Sequence, residues 1–177
     1  PAFKRWWTGI VPQAVERSTF VLAASAALGL LCWQWRTIDG TVWDIGQPIA
    51  RTAVWTVAAV GWLTVLATTF MINHFELFGL QQVFTHWRGR RFAGTGFRTP
   101  LLYRLVRHPM MLGFLLAFWA APTMTAGHLL FAAATTGYIL AAIRIEERDL
   151  SESLGDPYRR YRREVPMVVP MGRCPRD

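Results

Sequence analysis

Hydrophobic and charged positions are segregated along the chain. Residues 18–35, 52–73 and 108–143 contain no Asp, Glu, Lys or Arg. At ~1.5 Å per residue, the first two stretches extend ~27 Å and ~33 Å as helices, close to the ~30 Å hydrocarbon core of a bilayer. The third is too long for one span, and Pro122 with Gly127 divides it into two shorter helices in a tight hairpin. The pattern predicts an all-α, polytopic transmembrane helix bundle with about four spans.

The composition agrees with a membrane protein, and the charge distribution indicates its orientation. The 177 residues are 53% hydrophobic and 17% charged. If the four segments alternate in direction, 17 of the 19 Lys and Arg residues lie on one side, outside the connection 36–51. The positive-inside rule makes that side the cytoplasm. We therefore expect a multi-pass membrane protein with a cytoplasmic C-terminus.

The net charge and the cysteine and histidine content argue against several classes of function. The formal charge of +8 is explained by cytoplasmic Arg residues in contact with anionic lipid headgroups, so nucleic-acid binding is not expected. Cys32 and Cys174 are too few for a disulfide framework or a paired-cysteine metal knuckle. The four histidines lack the spacing of a metal-binding pair, so no metal site is expected.

The first candidate site is Arg107-His108-Pro109, followed by Gly113. Pro109 fits the first turn of a helix, so Arg107 and His108 are predicted at a helix N-terminus on the cytoplasmic boundary. Unpaired backbone N–H groups, a guanidinium and an imidazole suit a carboxylate or phosphate there. Gly113 lets a ligand or a neighbouring helix approach closely. The alternative is an interfacial Arg-His cap that reaches lipid phosphate.

The second candidate site is the charged continuation of the last predicted helix. Arg144, Glu146 and Glu147 leave the membrane at the same cytoplasmic edge as the first site if the hairpin closes. Tyr158 and Tyr161 follow in an Arg-rich segment. A solvated charged helix face is the alternative interpretation. The sequence leaves open which of the two glutamates faces a pocket.

The third candidate site is at the cytoplasmic end of the second predicted span. His74 and Glu76 lie two residues apart where this span leaves the membrane. A histidine near a carboxylate can activate a nucleophile that carries a proton. The same pair can simply mark the membrane interface. The sequence does not separate these two alternatives.

These clusters, in this order, resemble the membrane methyltransferases of the isoprenylcysteine carboxyl methyltransferase and phospholipid methyltransferase superfamily. The matching residues are Arg107-His108-Pro109 with Gly113, Glu146-Glu147 with Leu150, Leu154-Gly155 with Tyr158 and Tyr161, and Val165-Pro166. Residues 73–80 and 1–7 resemble more narrowly the bacterial members that methylate a small thiol. The chain departs from the superfamily at Met111, where Tyr is common, and at Leu154, where Phe is common, so a hydroxyl contact to cofactor is missing or supplied elsewhere.

The resemblance implies the cofactor S-adenosylmethionine, held at the cytoplasmic end of the last hairpin and capped by an arm of residues 144–177. Arg107 and His108 suit the methionine carboxylate, and Glu147 suits ribose hydroxyls or the amino group. Tyr158 suits the neighbourhood of the sulfonium. The residues expected around the cofactor are Arg107, His108, Pro109, Met111, Gly113, Arg144, Glu146, Glu147, Tyr158 and Tyr161.

The activity implied by the resemblance is methyl transfer to a small thiol, such as methanethiol giving dimethyl sulfide, in the bacterial inner membrane. A thiol with a pKa of ~8.5 or higher is mostly protonated near neutral pH, so a base is useful, and His74 oriented by Glu76 is the candidate. Two other interpretations are a lipid-directed or isoprenylcysteine-type methyltransferase and a non-catalytic membrane scaffold or transport subunit.

The domain expected from the sequence is a single integral-membrane methyltransferase domain over residues 1–177. The resemblance also implies more hydrophobic sequence upstream of Pro1, with about five spans in the intact protein. Membrane lipids and the small thiol are the expected partners. The sequence does not fix the oligomeric state.

Overall fold

The fold was obtained as a computed structural model that describes residues 15–36, 38–71, 87 and 101–170. These residues are mostly helical, in agreement with the predicted all-α class. Helix α1 belongs to one compact unit, and residues 38–68 and 101–170 belong to another. In chain order, the elements are α1 (Glu16–Gln34), β1 (Thr41–Asp44), α2 (Pro48–Met71), a 3₁₀ turn (Leu101–Arg104), α3 (Pro109–Trp119), β2 (Thr123–Thr125), α4 (Ala126–Leu154) and α5 (Asp156–Glu164).

Two of the described helices, α2 and α4, are long and apolar enough to cross a membrane by length and composition. They contain 24 and 29 residues, and an 18-residue segment of each has a mean hydropathy of 1.6 and 1.5. The apolar part of α1, Ser18–Gln34, and the 11 residues of α3 are shorter. Large apolar side chains on α2, among them Trp55, Trp62 and Leu63, are more than half exposed. Such a surface suits an apolar surrounding better than water.

Helices α2 and α3 cross so closely that their backbones are in contact. A Cβ atom added at Gly61 would lie 2.7 Å from the carbonyl oxygen of Gly113, and one added at Gly113 would lie 2.8 Å from that of Gly61. The ring of Trp62 packs in a T-shaped arrangement with Phe114 and with Phe118, with ring centroids 6.1 and 6.0 Å apart. The prediction that Gly113 allows a close approach is therefore explained by a neighbouring helix.

Helices α3 and α4 pack around the buried core of the second unit. Ile139 and Ile143 of α4 are buried together with Val168, which follows α5. Met111 and other apolar side chains of α3 pack against them. The Nε1 group of Trp119 donates to the hydroxyl of Thr136 at 2.9 Å, which joins the two helices near the end of α3.

A short antiparallel pair of strands lies between the helices. Thr41, Trp43 and Asp44 of β1 pair with Thr125, Met124 and Thr123 of β2. The indole Nε1 of Trp43 also donates to the carbonyl of Ala121 at 3.0 Å. Strands of three and four residues are too short to show hydrophobic alternation, so the sequence pattern does not predict them. Because β2 and the turn before it occupy residues 120–125, α3 ends earlier than a membrane-spanning helix would.

Candidate functional site

Helix α3 begins at the first candidate site, as the sequence predicts. His108 is the N-cap residue, and Pro109 occupies the first turn. Two backbone hydrogen bonds join the residues at the start of α3 to the chain after α5. The N–H groups of Arg107 and His108 donate to the carbonyls of Pro166 and Met167 at 2.9 and 3.1 Å. The chain after α5 therefore lies against the start of α3, which orients Arg107 and His108 toward α4.

A buried ion cluster joins the start of α3 to α4 and α5. Oxygen Oε1 of Glu147 lies 3.0 Å from Nη2 of Arg107 and 3.2 Å from Nε2 of His108. Oxygen Oε2 of the same carboxylate lies 3.5 Å from Nε of Arg162. The side chains of Arg107, His108 and Glu147 are all less than 10% exposed. Charges removed from water in this way require partners, and here three cationic or ring nitrogens meet one carboxylate.

The neighbouring carboxylate, Glu146, is in a different environment. Its Oε2 lies 3.6 Å from Nδ1 of His108, and its side chain is 52% exposed. The His108 imidazole therefore lies between two carboxylates, one buried and one open to the surface. Glu146 also lines a groove of about 530 Å³ along α4. All of its described lining residues lie on α4, among them Tyr138, Ile145, Asp149 and Ser153.

Three tyrosines surround this cluster and remain neutral well above physiological pH. Burial, with a smaller contribution from the Glu146 carboxylate, raises the pKa of Tyr103 to about 12. Burial likewise raises the pKa of Tyr161 to about 12, and the pKa of Tyr158 is raised mainly by burial and then by the Glu147 charge. The hydroxyl of Tyr161 donates to the Tyr103 carbonyl at 2.6 Å, so α5 is also fastened to the 3₁₀ turn.

The structure separates the predicted site residues into three groups. Arg107, His108, Glu146 and Glu147 come together, with Tyr158 and Tyr161 beside them. Three others have structural positions: the first turn of α3 contains Pro109, the core contains Met111, and the crossing with α2 contains Gly113. Arg144 is exposed on α4 and forms no ion pair within the described residues. His74 and Glu76 lie outside the described residues.

Two residues near the cluster were not predicted from the sequence, Arg162 and Tyr103. Arg162 lies one helical turn after Tyr158, so the spacing of three and four residues that places Tyr158, Tyr161 and Arg162 on one face of α5 was the available signal. Tyr103 lies in the 3₁₀ turn before Arg107 and carries no motif of its own. Within the described ranges, no group of three or more His, Cys, Asp or Glu residues is arranged to hold a metal ion.

Known proteins have sequences similar to this one over most of its length. A methanethiol S-methyltransferase of Mycobacterium tuberculosis is 62% identical over 168 residues, which cover 95% of this chain and 69% of the relative. Methanethiol S-methyltransferase 2 of Bradyrhizobium diazoefficiens is 57% identical over 173 residues, covering 96% and 65%. Human nurim is 27% identical over 157 residues, covering 81% and 58%. No solved structure shows a significant match.

The lengths of these relatives and the family profile complete the comparison. The chain spans between 60% and 69% of the first three methanethiol S-methyltransferases that it matches. The resemblance to membrane methyltransferases that the motifs indicate is confirmed by these relatives. The profile of the family described as NnrU protein matches residues 5–159, and the chain belongs to that family.

Proposed function

We propose that this chain is an S-adenosylmethionine-dependent methyltransferase that converts methanethiol to dimethyl sulfide. Three relatives between 53% and 62% identical are named methanethiol S-methyltransferases. The observation that carries the proposal is the buried cluster of Arg107, His108 and Glu147 at the start of α3, beside the half-exposed Glu146. Buried charges in this density are costly to a fold and are typical of functional sites.

The cofactor fits the described residues through its charged groups. The Nε atom of Arg107 is buried and has no hydrogen-bond partner within the described residues, so a ligand carboxylate could accept from it. Glu146 offers an accessible carboxylate for an ammonium or ribose hydroxyl, and the neutral phenols of the site can donate or accept. When bound, S-adenosylmethionine supplies an electrophilic methyl carbon for in-line attack by sulfur.

The proposed acceptor step requires removal of the thiol proton. The thiol sulfur forms a bond to the methyl carbon while the bond from that carbon to the sulfonium sulfur breaks, and the proton goes to a base. We assign this role to His74, oriented by Glu76, because a methanethiol-type thiol is mostly protonated near neutral pH. The products are dimethyl sulfide and S-adenosylhomocysteine.

The proposed setting is the bacterial inner membrane, with about four spans in residues 1–177. Helices α3 and α4 form a hairpin in this proposal, and residues 144–177 form a cytoplasmic arm that caps the cofactor. The hydrogen bonds from Arg107 and His108 to the chain after α5 support that function of the arm. Cys174 lies in the arm, so a membrane-impermeant maleimide should label it in inside-out vesicles. Labelling in intact cells would reverse the orientation.

Headspace analysis of the purified protein with S-adenosylmethionine and methanethiol tests the proposed reaction. Dimethyl sulfide released only when both substrates are present is the expected result. Methylated lipid without dimethyl sulfide would identify a lipid-directed methyltransferase. Absence of cofactor binding in a folded sample would favour a non-catalytic membrane scaffold or transport subunit.

The contribution of His74 is tested with the His74→Ala variant. Turnover should fall by roughly 10²- to 10⁴-fold with little change in cofactor affinity, since a general base contributes about that much. Raising the pH should restore part of the loss, because thiolate then forms without a base. A variant that keeps the parental rate near neutral pH would remove His74 from this role.

A further inference from the structure

The adjacent carboxylates of Glu146 and Glu147 have different partners and different access to the surface. Glu147 is almost fully buried, while Glu146 is half exposed beside the groove on α4. We infer that Glu147 and Arg162 are positioning residues that hold Arg107 and His108 in place, and that Glu146 is the carboxylate that contacts the cofactor. This inference rests on the proposed function and assigns separate roles to the two glutamates.

The contacts of Glu147 leave little room for a ligand. Oxygen Oε1 is within hydrogen-bonding distance of both Arg107 and His108, and Oε2 faces Arg162. The side chain is 8% exposed. A ligand that bound Oε1 would have to displace Arg107 or His108, which would leave that side chain buried and unpaired. The geometry therefore favours a positioning role.

Arg162 closes the cluster from the side of α5. Its side chain faces Glu147, and its backbone carbonyl accepts a hydrogen bond from Nη1 of Arg107 at 3.0 Å. The same residue thus contacts both members of the buried Arg107–Glu147 ion pair. Since α5 begins only after the kink at Gly155, this double contact links the position of the C-terminal helix to the guanidinium of Arg107.

Glu146 has the access that Glu147 lacks. Its carboxylate lies 3.6 Å from Nδ1 of His108, and its 52% exposed side chain lines the groove. Glu146 can accept a hydrogen bond from an ammonium or hydroxyl group that enters the groove, and the ion cluster stays intact. The His108 ring then lies behind the contacting carboxylate and is held on its other side by Glu147. The two glutamates therefore act on opposite edges of one imidazole.

The first experiment measures thermal unfolding of the purified protein without cofactor. Glu147→Gln and Arg162→Ala should lower the midpoint, and Arg162→Lys should restore part of the loss because it keeps the charge. Glu146→Gln should have little effect. The matched controls are Glu152→Gln, on the same exposed helix segment as Glu146, and Arg163→Ala, on the exposed face of α5. A midpoint that falls as much with Glu146→Gln as with Glu147→Gln would overturn the separate roles.

The second experiment measures binding of S-adenosylhomocysteine and of two analogues, one without the amino group and one without the 2′-hydroxyl. In the parent, loss of the group that Glu146 contacts should weaken binding about 10- to 100-fold. In Glu146→Gln this penalty should shrink to a few-fold, because the contact is already weakened. In Glu147→Gln and Arg162→Ala the affinity for all three ligands should fall by a similar factor. The loss of affinity caused by removing the contacted group from the ligand should remain as large as in the parent.

The outcomes separate the inference from the proposed function. The inference would be overturned if the affinity lost on removing the contacted ligand group disappeared in Glu147→Gln and persisted in Glu146→Gln. Cofactor binding itself would then still stand. A folded parent protein that binds none of the three ligands would overturn the proposed function, and the assignment of Glu146 with it. The thermal measurements test the positioning roles of Glu147 and Arg162 in either case, since they do not depend on any ligand.

Discussion

The two ends of α3 are both surrounded by polar groups, which are buried and charged where the helix begins but exposed or neutral where it ends. At the beginning, Arg107 and Glu147 lie 3.0 Å apart with side chains 9% and 8% exposed. At the far end, Arg51 and Asp44 lie 3.5 Å apart with side chains 44% and 55% exposed. An exposed pair contributes little to stability, whereas one partner of a buried pair cannot be removed without a large penalty.

The neutral contacts at the far end satisfy groups that the helix itself leaves unpaired. The carbonyls of Ala121 and Phe118, at and beyond the end of α3, accept from Trp43 and from Nε2 of His128. The last carbonyls of a helix need such partners, so these contacts have a structural explanation. The charged side chains at the beginning of α3 are not explained in this way, since they pair with each other. This difference is why we assign the chemistry to that end.

Removing the buried carboxylate should have the largest effect on stability. Glu147→Ala leaves Arg107 and His108 buried without their shared partner, so the free energy of unfolding should fall by about 3–5 kcal/mol. Denaturant unfolding followed by tryptophan fluorescence measures the change. Glu152→Ala is the matched control, because Glu152 forms an exposed pair with Arg148 on the same helix. Its loss should stay within ~0.5 kcal/mol. Equal losses in the two variants would mean that the cluster is not effectively desolvated.

A methyl group at the helix crossing should have the next largest effect. In Gly113→Ala the new Cβ would lie 2.8 Å from the Gly61 carbonyl and from a methyl of Val65, so α3 must shift, at a cost of about 1–3 kcal/mol. The matched control is Gly137→Ala, where nothing lies within 4 Å. That variant should gain roughly 0.5–1 kcal/mol, because alanine favours a helix interior. Unfolding measurements that give both variants the same sign would contradict the close crossing.

Much of the helical fold could be predicted from where the charges are missing. The charge-free stretches cover most of α2 and the part of α4 up to Ile143, and Pro122 lies in the break between α3 and α4. The strand pair could not be predicted, since its few residues are held by long-range hydrogen bonds and by Trp43. For the same reason the sequence pattern did not show that α3 ends at Trp119, because residues 120–125 are used by the turn and β2.

The candidate site could be predicted where a residue type carries its own chemistry. Arg107, His108 and Glu147 stand out as charges next to apolar helices, and the structure brings them into contact. The separate surroundings of Glu146 and Glu147 could not be predicted, since adjacent residues differ in burial only through the packing of α4. Arg162 was missed because its partner Glu147 is on a different helix, beyond a break in the chain.

Alkaline pH should weaken the beginning of α3 more than its end. The pKa values of Tyr103 and Tyr161 are raised to about 12, so the folded protein retains protons that the unfolded chain loses near pH 10. Stability from these groups is fully present below pH 10 and is lost between pH 10 and 12. Both side chains are partly exposed, so solvent screening limits the loss to about 1 kcal/mol each. Unfolding as a function of pH measures it, and Tyr161→Phe should reduce the slope.

The exposed pair at the far end should give the smallest effect. Asp44→Asn keeps an oxygen that can accept the hydrogen bond from the Thr123 hydroxyl, now 2.7 Å long, but removes the charge that faces Arg51. Because both side chains are about half exposed, water and salt screen the pair, and the free energy of unfolding should fall by less than ~1 kcal/mol. Raising the salt concentration should lower the free energy of unfolding of the parent toward that of the variant, since only the parent has the ion pair that salt can screen. Unfolding at low and high salt tests this. A loss as large as that of Glu147→Ala would show that Asp44 is held in a desolvated site, and the contrast between the two ends of α3 would then fail.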